Sequence, residues 1–272
     1  MESTGSAEKT VQKRPFIEHL GFTDTSKAPK IDITIRGEKY YYEFLKVQRE
    51  KYMIVRKSKD DSEEYRSQLP VYINLNFFGC HYFKNLLAKY KDTLESLIMS
   101  VTKNRSFNFD IEYLANLRTL QLSGDFNIGT ILTKLQKPLE YLSIQVRHRN
   151  KIDYEQVYQC TGNLVIPFRY LTNEQFVKIQ AKNVRMDMGY LTEENIADFL
   201  KSYQNDTIGK IVNFYTWDID GESFFSIPKL WKLLGSNDTD YKKLLAIRHN
   251  TKRKVAHLSY NNKTLTLRNL MN

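Results

Sequence analysis

The sequence predicts an α/β fold: an irregular stack of strand–helix units with a β-hairpin region at each end. Three observations carry this. Apolar residues alternate in short runs near both ends of the chain, the period of a half-buried strand. Between those runs the apolar spacing widens to three and four residues, the period of a helix. Three similar leucine-led segments also recur, starting at Leu94, Leu117 and Leu139, 23 and 22 residues apart.

The elements follow in chain order. Residues 1–30 carry no sustained period. Pro15, Pro29 and the run Thr23-Asp24-Thr25-Ser26 interrupt Phe16, Ile17 and Leu20, so this segment is expected to be poorly ordered. A single domain is expected over 31–268. Ile31, Ile33 and Ile35 alternate with Asp32 and Thr34 as a first strand. Arg36-Gly37-Glu38-Lys39 is a turn, and Tyr40 to Val47 returns as the partner strand. Tyr52 to Arg56 is a third. The charged run 57–67 reads as an exposed loop, and Val71, Ile73, Leu75 and Phe77 as one face of a further strand.

Phe83, Leu86, Leu87 and Tyr90 have helical spacing. Three strands then follow, at Thr93 to Met99, Arg118 to Leu122 and Pro138 to Ile144, with helical spacing at Ile128, Ile131, Leu132 and Leu135. Their rhythm lies within the range of leucine-rich repeats. One strand plus one helix is too small to bury its own apolar side, and stacking neighbours merges those sides into a core. The stack is therefore expected to be leucine-rich-repeat-like, with these three strands parallel and their leucines inward.

Further on, Thr172 caps a short helix from Asn173 to Val177, ahead of a strand at Val184 to Met186. Thr192 caps a clear helix, with Glu193 and Glu194 in its first turn. Ile196, Phe199, Leu200 and Tyr203 form its apolar stripe. A strand is expected over Ile208 to Tyr215 and a short helix within Phe224 to Leu234. Strands at Lys243 to His249, Val255 to Tyr260 and Thr264 to Leu270 end the chain.

Composition narrows the function classes. The chain has 272 residues, of which 41% are hydrophobic and 26% charged, the mix of a globular protein rather than a disordered one. It contains no apolar run long enough for a membrane span. The polar opening Met1 to Thr10 is unlike a signal peptide, so Cys80 and Cys160 are expected to be reduced, in a cytoplasmic or nuclear protein. The formal net charge is +10, and the eight basic residues of 242–272, which include Lys252, Arg253 and Lys254, face no Asp or Glu in that segment. Such a segment suits a phosphate backbone or an acidic surface.

No motif announces catalysis. The run Gly124 to Gly129 lacks the lysine of a phosphate loop. The histidines are scattered and no Cys-x-x-Cys occurs, so no metal site is expected. Asp218-Ile219-Asp220-Gly221-Glu222 opens like a calcium loop, but Lys229 stands where the closing glutamate belongs. No cofactor and no enzymatic activity are expected. The chain is rich in tyrosine, and within Tyr40-Tyr41-Tyr42 a strand turns Tyr41 to the opposite face from its neighbours. Exposed tyrosines suit protein recognition. The candidate interaction residues are Tyr41, Lys252, Arg253 and Lys254.

One segment supports a resemblance. Leu171-Thr172-Asn173-Glu174-Gln175-Phe176, Ala181 to Met186, and Leu191-Thr192-Glu193-Glu194-Asn195-Ile196-Ala197-Asp198-Phe199-Leu200-Lys201 resemble the type 2 F-box-associated domain of nematode F-box proteins. Leu245 to His249 with Val255 to Leu258 is similar to that family's closing hairpin. The best match spans 165–268. Ala197 stands where the family favours Asn, Tyr203 where it favours Trp, and Thr251-Lys252 replaces its Asp-Gly turn. The resemblance implies a protein-interaction domain, the substrate-binding part of cullin–RING ubiquitin ligases, with a ubiquitination substrate as partner. No F-box is recognisable in the chain, so binding to the ligase adaptor is not expected. A second reading is nucleic-acid binding through 242–268, with Tyr241, His249, His257 and Tyr260 as stacking partners.

Overall fold

In a computed structural model, fourteen strands among the described residues form one continuous sheet with helices between many of them. The residues described are 17–24, 28–57, 63–101, 112–124, 127–146, 154–166, 171–219, 225–236, 245–248 and 255–270.

The first part of the chain is β1 (Ile17–Thr23), β2 (Lys30–Ile35), β3 (Glu38–Val47), β4 (Glu50–Lys57) and β5 (Glu63–Leu69). These strands pair in antiparallel order. Next come α1 (Leu75–Tyr90), β6 (Ser96–Val101), β7 (Thr119–Gly124), α2 (Gly129–Leu132), β8 (Tyr141–Val146), α3 (Glu155–Tyr158), β9 (Asn163–Ile166), α4 (Asn173–Lys178), β10 (Asn183–Asp187), α5 (Glu193–Gln204) and β11 (Phe214–Asp218). From β6 to β11 each strand lies parallel to the one before it. Parallel neighbours need a crossover, and the intervening helices and loops supply it. The chain closes with α6 (Ile227–Leu233), β12 (Leu245–Arg248), β13 (Val255–Asn261) and β14 (Thr264–Leu270). β14 adds antiparallel to β11, followed outward by β13 and β12.

The register explains the leucines. Leu97, Leu120, Leu142 and Leu164 stand side by side, with Leu20 of β1 before them and Val184 and Tyr215 after. Met99, Leu122 and Ile144 form a second buried row. Both rows join the helices' buried residues in one hydrophobic cluster. Just before each strand the backbone forms a second ladder. Arg118 N donates to Glu95 O, Glu140 N to Arg118 O, Asn163 N to Glu140 O and Asn183 N to Gly162 O. Gly162 fits this ladder because a Cβ there would sit 2.2 Å from Glu140 O. The expected parallel neighbours β6, β7 and β8 are therefore present, with their leucines inward.

Four local expectations are corrected. First, the segment 1–30 contains β1, an interior strand lying between β6 and β2, with Leu20 and Phe22 fully buried. A register shift between Ile17 and His19 breaks its alternation and hid it. The remainder of 1–16 and 25–27 lies outside the described residues. Second, 71–74 is a turn leading into α1, which begins at Leu75. The Asn74 side chain accepts from the N–H groups of Asn76 and Phe77 and caps the helix. Val71 and Phe77 are 60% and 75% exposed, while Gly79, Phe83, Leu87 and Tyr90 face inward. Third, part of 57–67 is the edge strand β5, whose polar sequence suits a sheet edge. Fourth, the strand expected over 208–215 starts at Phe214, after Gly209 in the left-handed region (φ 67°).

The helix-capping expectations agree with the structure. Thr172 and Thr192 each close a capping box, with Gln175 and Asn195 as the returning side chains. Neither Cys80 nor Cys160 forms a disulfide among the described residues. Among the described residues no helix is long and apolar enough to cross a membrane.

Candidate functional site

The sheet's second face is polar and open. Residues on it alternate with the buried rows, as strand pleating requires. One row runs from His19 through Ser96, Thr119, Tyr141, Asn163, Asn183 and Phe214 to Arg268 and His257. Every member is partly or wholly exposed. The row is stitched by polar contacts. Asn183 Nδ2 donates to Asn163 Oδ1 at 2.8 Å. One row over, Arg185 Nε meets Asp218 Oδ2 at 3.1 Å, and Thr264 Oγ1 donates to Asp218 Oδ1 at 3.0 Å. Exposed pairs of this kind add little stability.

A cleft of about 590 Å³ opens over β1 on this face. Its floor holds three side chains joined by hydrogen bonds. His19 Nδ1 lies 2.9 Å from Ser96 Oγ, and His19 Nε2 lies 2.6 Å from Asp32 Oδ2. The strands place them. His19 and Ser96 are direct partners between the parallel strands β1 and β6, and Asp32 sits on β2 opposite Gly21. Gly21 makes the arrangement possible, because a Cβ at that position would be 2.2 Å from Asp32 Oδ1. Lys39, Tyr41, Glu95, Arg118 and Glu140 also line the cleft. Arg118 holds Glu140 Oε1 through both Nε and Nη2, at 2.9 and 2.7 Å.

Of the sequence-derived interaction residues, Tyr41 lies on this wall, 40% exposed. Its neighbour Tyr42 turns to the opposite face and packs against Tyr82, with ring centroids 5.5 Å apart. Burial there holds the Tyr42 phenol well above its ordinary pKa. Lys252, Arg253 and Lys254, like Tyr241 and His249, lie outside the described residues. His257 and Arg268 are brought together across β13 and β14. The Ser96, His19 and Asp32 grouping was not visible in the sequence. Its members come from three strands, 77 and 13 residues from His19, and such groupings are recognised by geometry rather than order.

Two other chemically notable groups are structural. Cys160 is buried, and that burial pushes its thiol up to about 11, which leaves it protonated and unreactive at neutral pH. Lys210 Nζ donates to Ile179 O at 2.5 Å beside the rings of Phe176, Phe199 and Tyr215. Desolvation lowers its amine to about 8. Among the described residues no cluster of three or more His, Cys, Asp or Glu could hold a metal ion. No family model, no curated protein and no solved structure matches the chain.

Proposed function

We propose that this protein is a protein-interaction module that binds its partner across the open face of the sheet. The observation that carries this reading is the continuous polar row from His19 to His257, which offers hydrogen-bonding groups and the exposed ring of Phe214 on rigid strands. Aromatic residues set in polar surroundings are the usual anchors of protein interfaces. Tyr41 extends the same surface past β1. The stack is read as leucine-rich-repeat-like, and the shared register of Leu97, Leu120, Leu142 and Leu164 supports that. The motif from Leu171 to Lys201 supports kinship with nematode F-box-associated domains, whose partners are ubiquitination substrates. On this reading the chain acts by binding and is not an enzyme. A ligase adaptor is not among the partners this reading assigns to the open face.

The test is face-selective capture from cell extract with the full chain. Tyr141→Glu with Phe214→Glu alters the open face, and Asp198→Lys alters the exposed side of α5. A protein partner is expected to be lost with the first variant and kept with the second. Capture indifferent to the face variant, with its folding intact, overturns the reading. Nucleic-acid binding by the basic segment 242–268 is the second reading, favoured by the placement of Arg268 beside His257 and tested below.

A further inference from the structure

We propose that Ser96 is an activated nucleophile that accepts the acyl group of small esters in the cleft over β1. Two linked observations point there. One is the hydrogen-bonded order Ser96–His19–Asp32. The other is Gly21, whose missing side chain leaves the space that the Asp32 carboxylate fills. An ionised carboxylate only accepts hydrogen bonds, so Asp32 fixes the imidazole proton on Nε2. Nδ1 then carries the lone pair and accepts from the Ser96 hydroxyl. A nucleophile within reach of a base, and a base held by a third group, is the arrangement that activates serine. All three side chains stand on paired strands, which hold such geometry more firmly than loops do. The cleft is large enough for a small ligand, and its lining carries Lys39 and Arg118 together with Glu18, Glu95 and Glu140.

The chemistry balances without a cofactor. Ser96 Oγ bonds to the ester carbonyl carbon as its proton moves to His19 Nδ1. The carbon–oxygen bond to the alcohol breaks, and the alcohol leaves with that proton. Water then attacks the acyl-serine, giving its proton to Nδ1, and the acid departs as the proton returns to Ser96. The net reaction is ester plus water to carboxylic acid plus alcohol. Asp32 is a positioning residue in this scheme. The inference goes beyond the binding reading and amends its non-enzymatic part at this cleft alone. The rest of the face is unaffected, so the two readings fail separately.

The test treats the folded full chain with a fluorophosphonate probe, followed by intact-mass measurement and mapping of the modified residue. One adduct on Ser96 is expected, absent after unfolding in urea and absent in Ser96→Ala. His19→Ala is expected to slow labelling by about a hundredfold or more, the scale of a general base, with added imidazole restoring part of the rate. Asp32→Asn is expected to slow it while leaving the melting temperature close to that of the parent. Failure of the folded parent chain to acquire an adduct, or an adduct at another residue instead, overturns the proposal without recourse to any variant. Equal labelling in His19→Ala also overturns it.

Discussion

Phe199 of α5 packs on Phe176 of α4, with ring centroids 5.0 Å apart and planes at 54°. Two helices from successive crossovers are thereby tied together over β11, whose Tyr215 stacks on Phe199 at 5.2 Å and whose Trp217 meets it edge-on at 6.1 Å. Aromatic pairs in these tilted and stacked geometries stabilise beyond the area they bury. Removing the ring leaves a void shared by three aromatic side chains that cannot all collapse into it. Phe199→Ala is therefore expected to cost about 3–5 kcal/mol, read as a lowered urea midpoint with little change in slope. A loss under about 1 kcal/mol would contradict this packing and show α5 to be peripheral.

Gly124 ends β7 opposite Val101, at φ 105°, and a Cβ there would lie 1.7 Å from the Val101 carbonyl oxygen. Both the left-handed backbone and the close approach exclude a side chain. Gly124→Ala is expected to destabilise by more than about 1 kcal/mol, because alanine cannot take this conformation without strain. Gly37→Ala is the useful comparison. It shares a positive φ, but nothing lies within 4 Å of its Cβ, so it should cost less. Equal losses in thermal melts would show that crowding against Val101 adds nothing.

The legible parts of this fold are those where a residue type has one local use. Thr192 followed by two glutamates announces a helix start, and the capping box with Asn195 bears it out. Leucines at 94, 117 and 139, all buried, each stand just ahead of one of the parallel strands β6, β7 and β8, and their even spacing announces those neighbours. The period-two run at Val71, Ile73, Leu75 and Phe77 misled, because a turn and a first helical turn produce the same spacing by chance. Asn74 was the truer signal there. In β1, a bulge after Ile17 removes the alternation that would have marked it. β9 was not anticipated, its short length offering little period to read. The cleft was illegible for another reason. His19, Asp32 and Ser96 meet only after β1 is inserted between β2 and β6, so no local spacing encodes them.

Lys210 gives a pH signature. Its amine is lowered to about 8 by burial, whereas an unfolded lysine titrates near about 10.4. Between those values the unfolded chain binds more protons, so folding stability rises with pH there. Below about 8 the charged form is present in both states and its desolvation penalty is fully felt. Relative to Lys210→Met, the parent protein is therefore expected to gain stability from about pH 8 to pH 10. The measurement is a pair of urea titrations across that range. A stability difference that stays flat with pH would show that the Lys210 ammonium is solvated in the folded protein.

The basic segment separates the two functional readings. Eight cations with no intervening acid lie between Lys242 and Arg268. If they meet phosphates, each neutralised contact releases a counterion, and affinity for single-stranded RNA falls steeply as salt rises. Contacts from Lys242, Lys243, Arg248, Lys252, Arg253 and Lys254 together would give a log–log slope of several units. Stacking partners are few nearby. Tyr260 is only partly exposed, and the segment has no run of aromatic residues, so binding would rest on charge alone and should fade by physiological salt. The expected outcome is weak binding even at low salt, with the triple change of Lys252, Arg253 and Lys254 to Gln altering little. Micromolar affinity that survives physiological salt and disappears in the triple variant would reverse the ranking in favour of nucleic-acid binding.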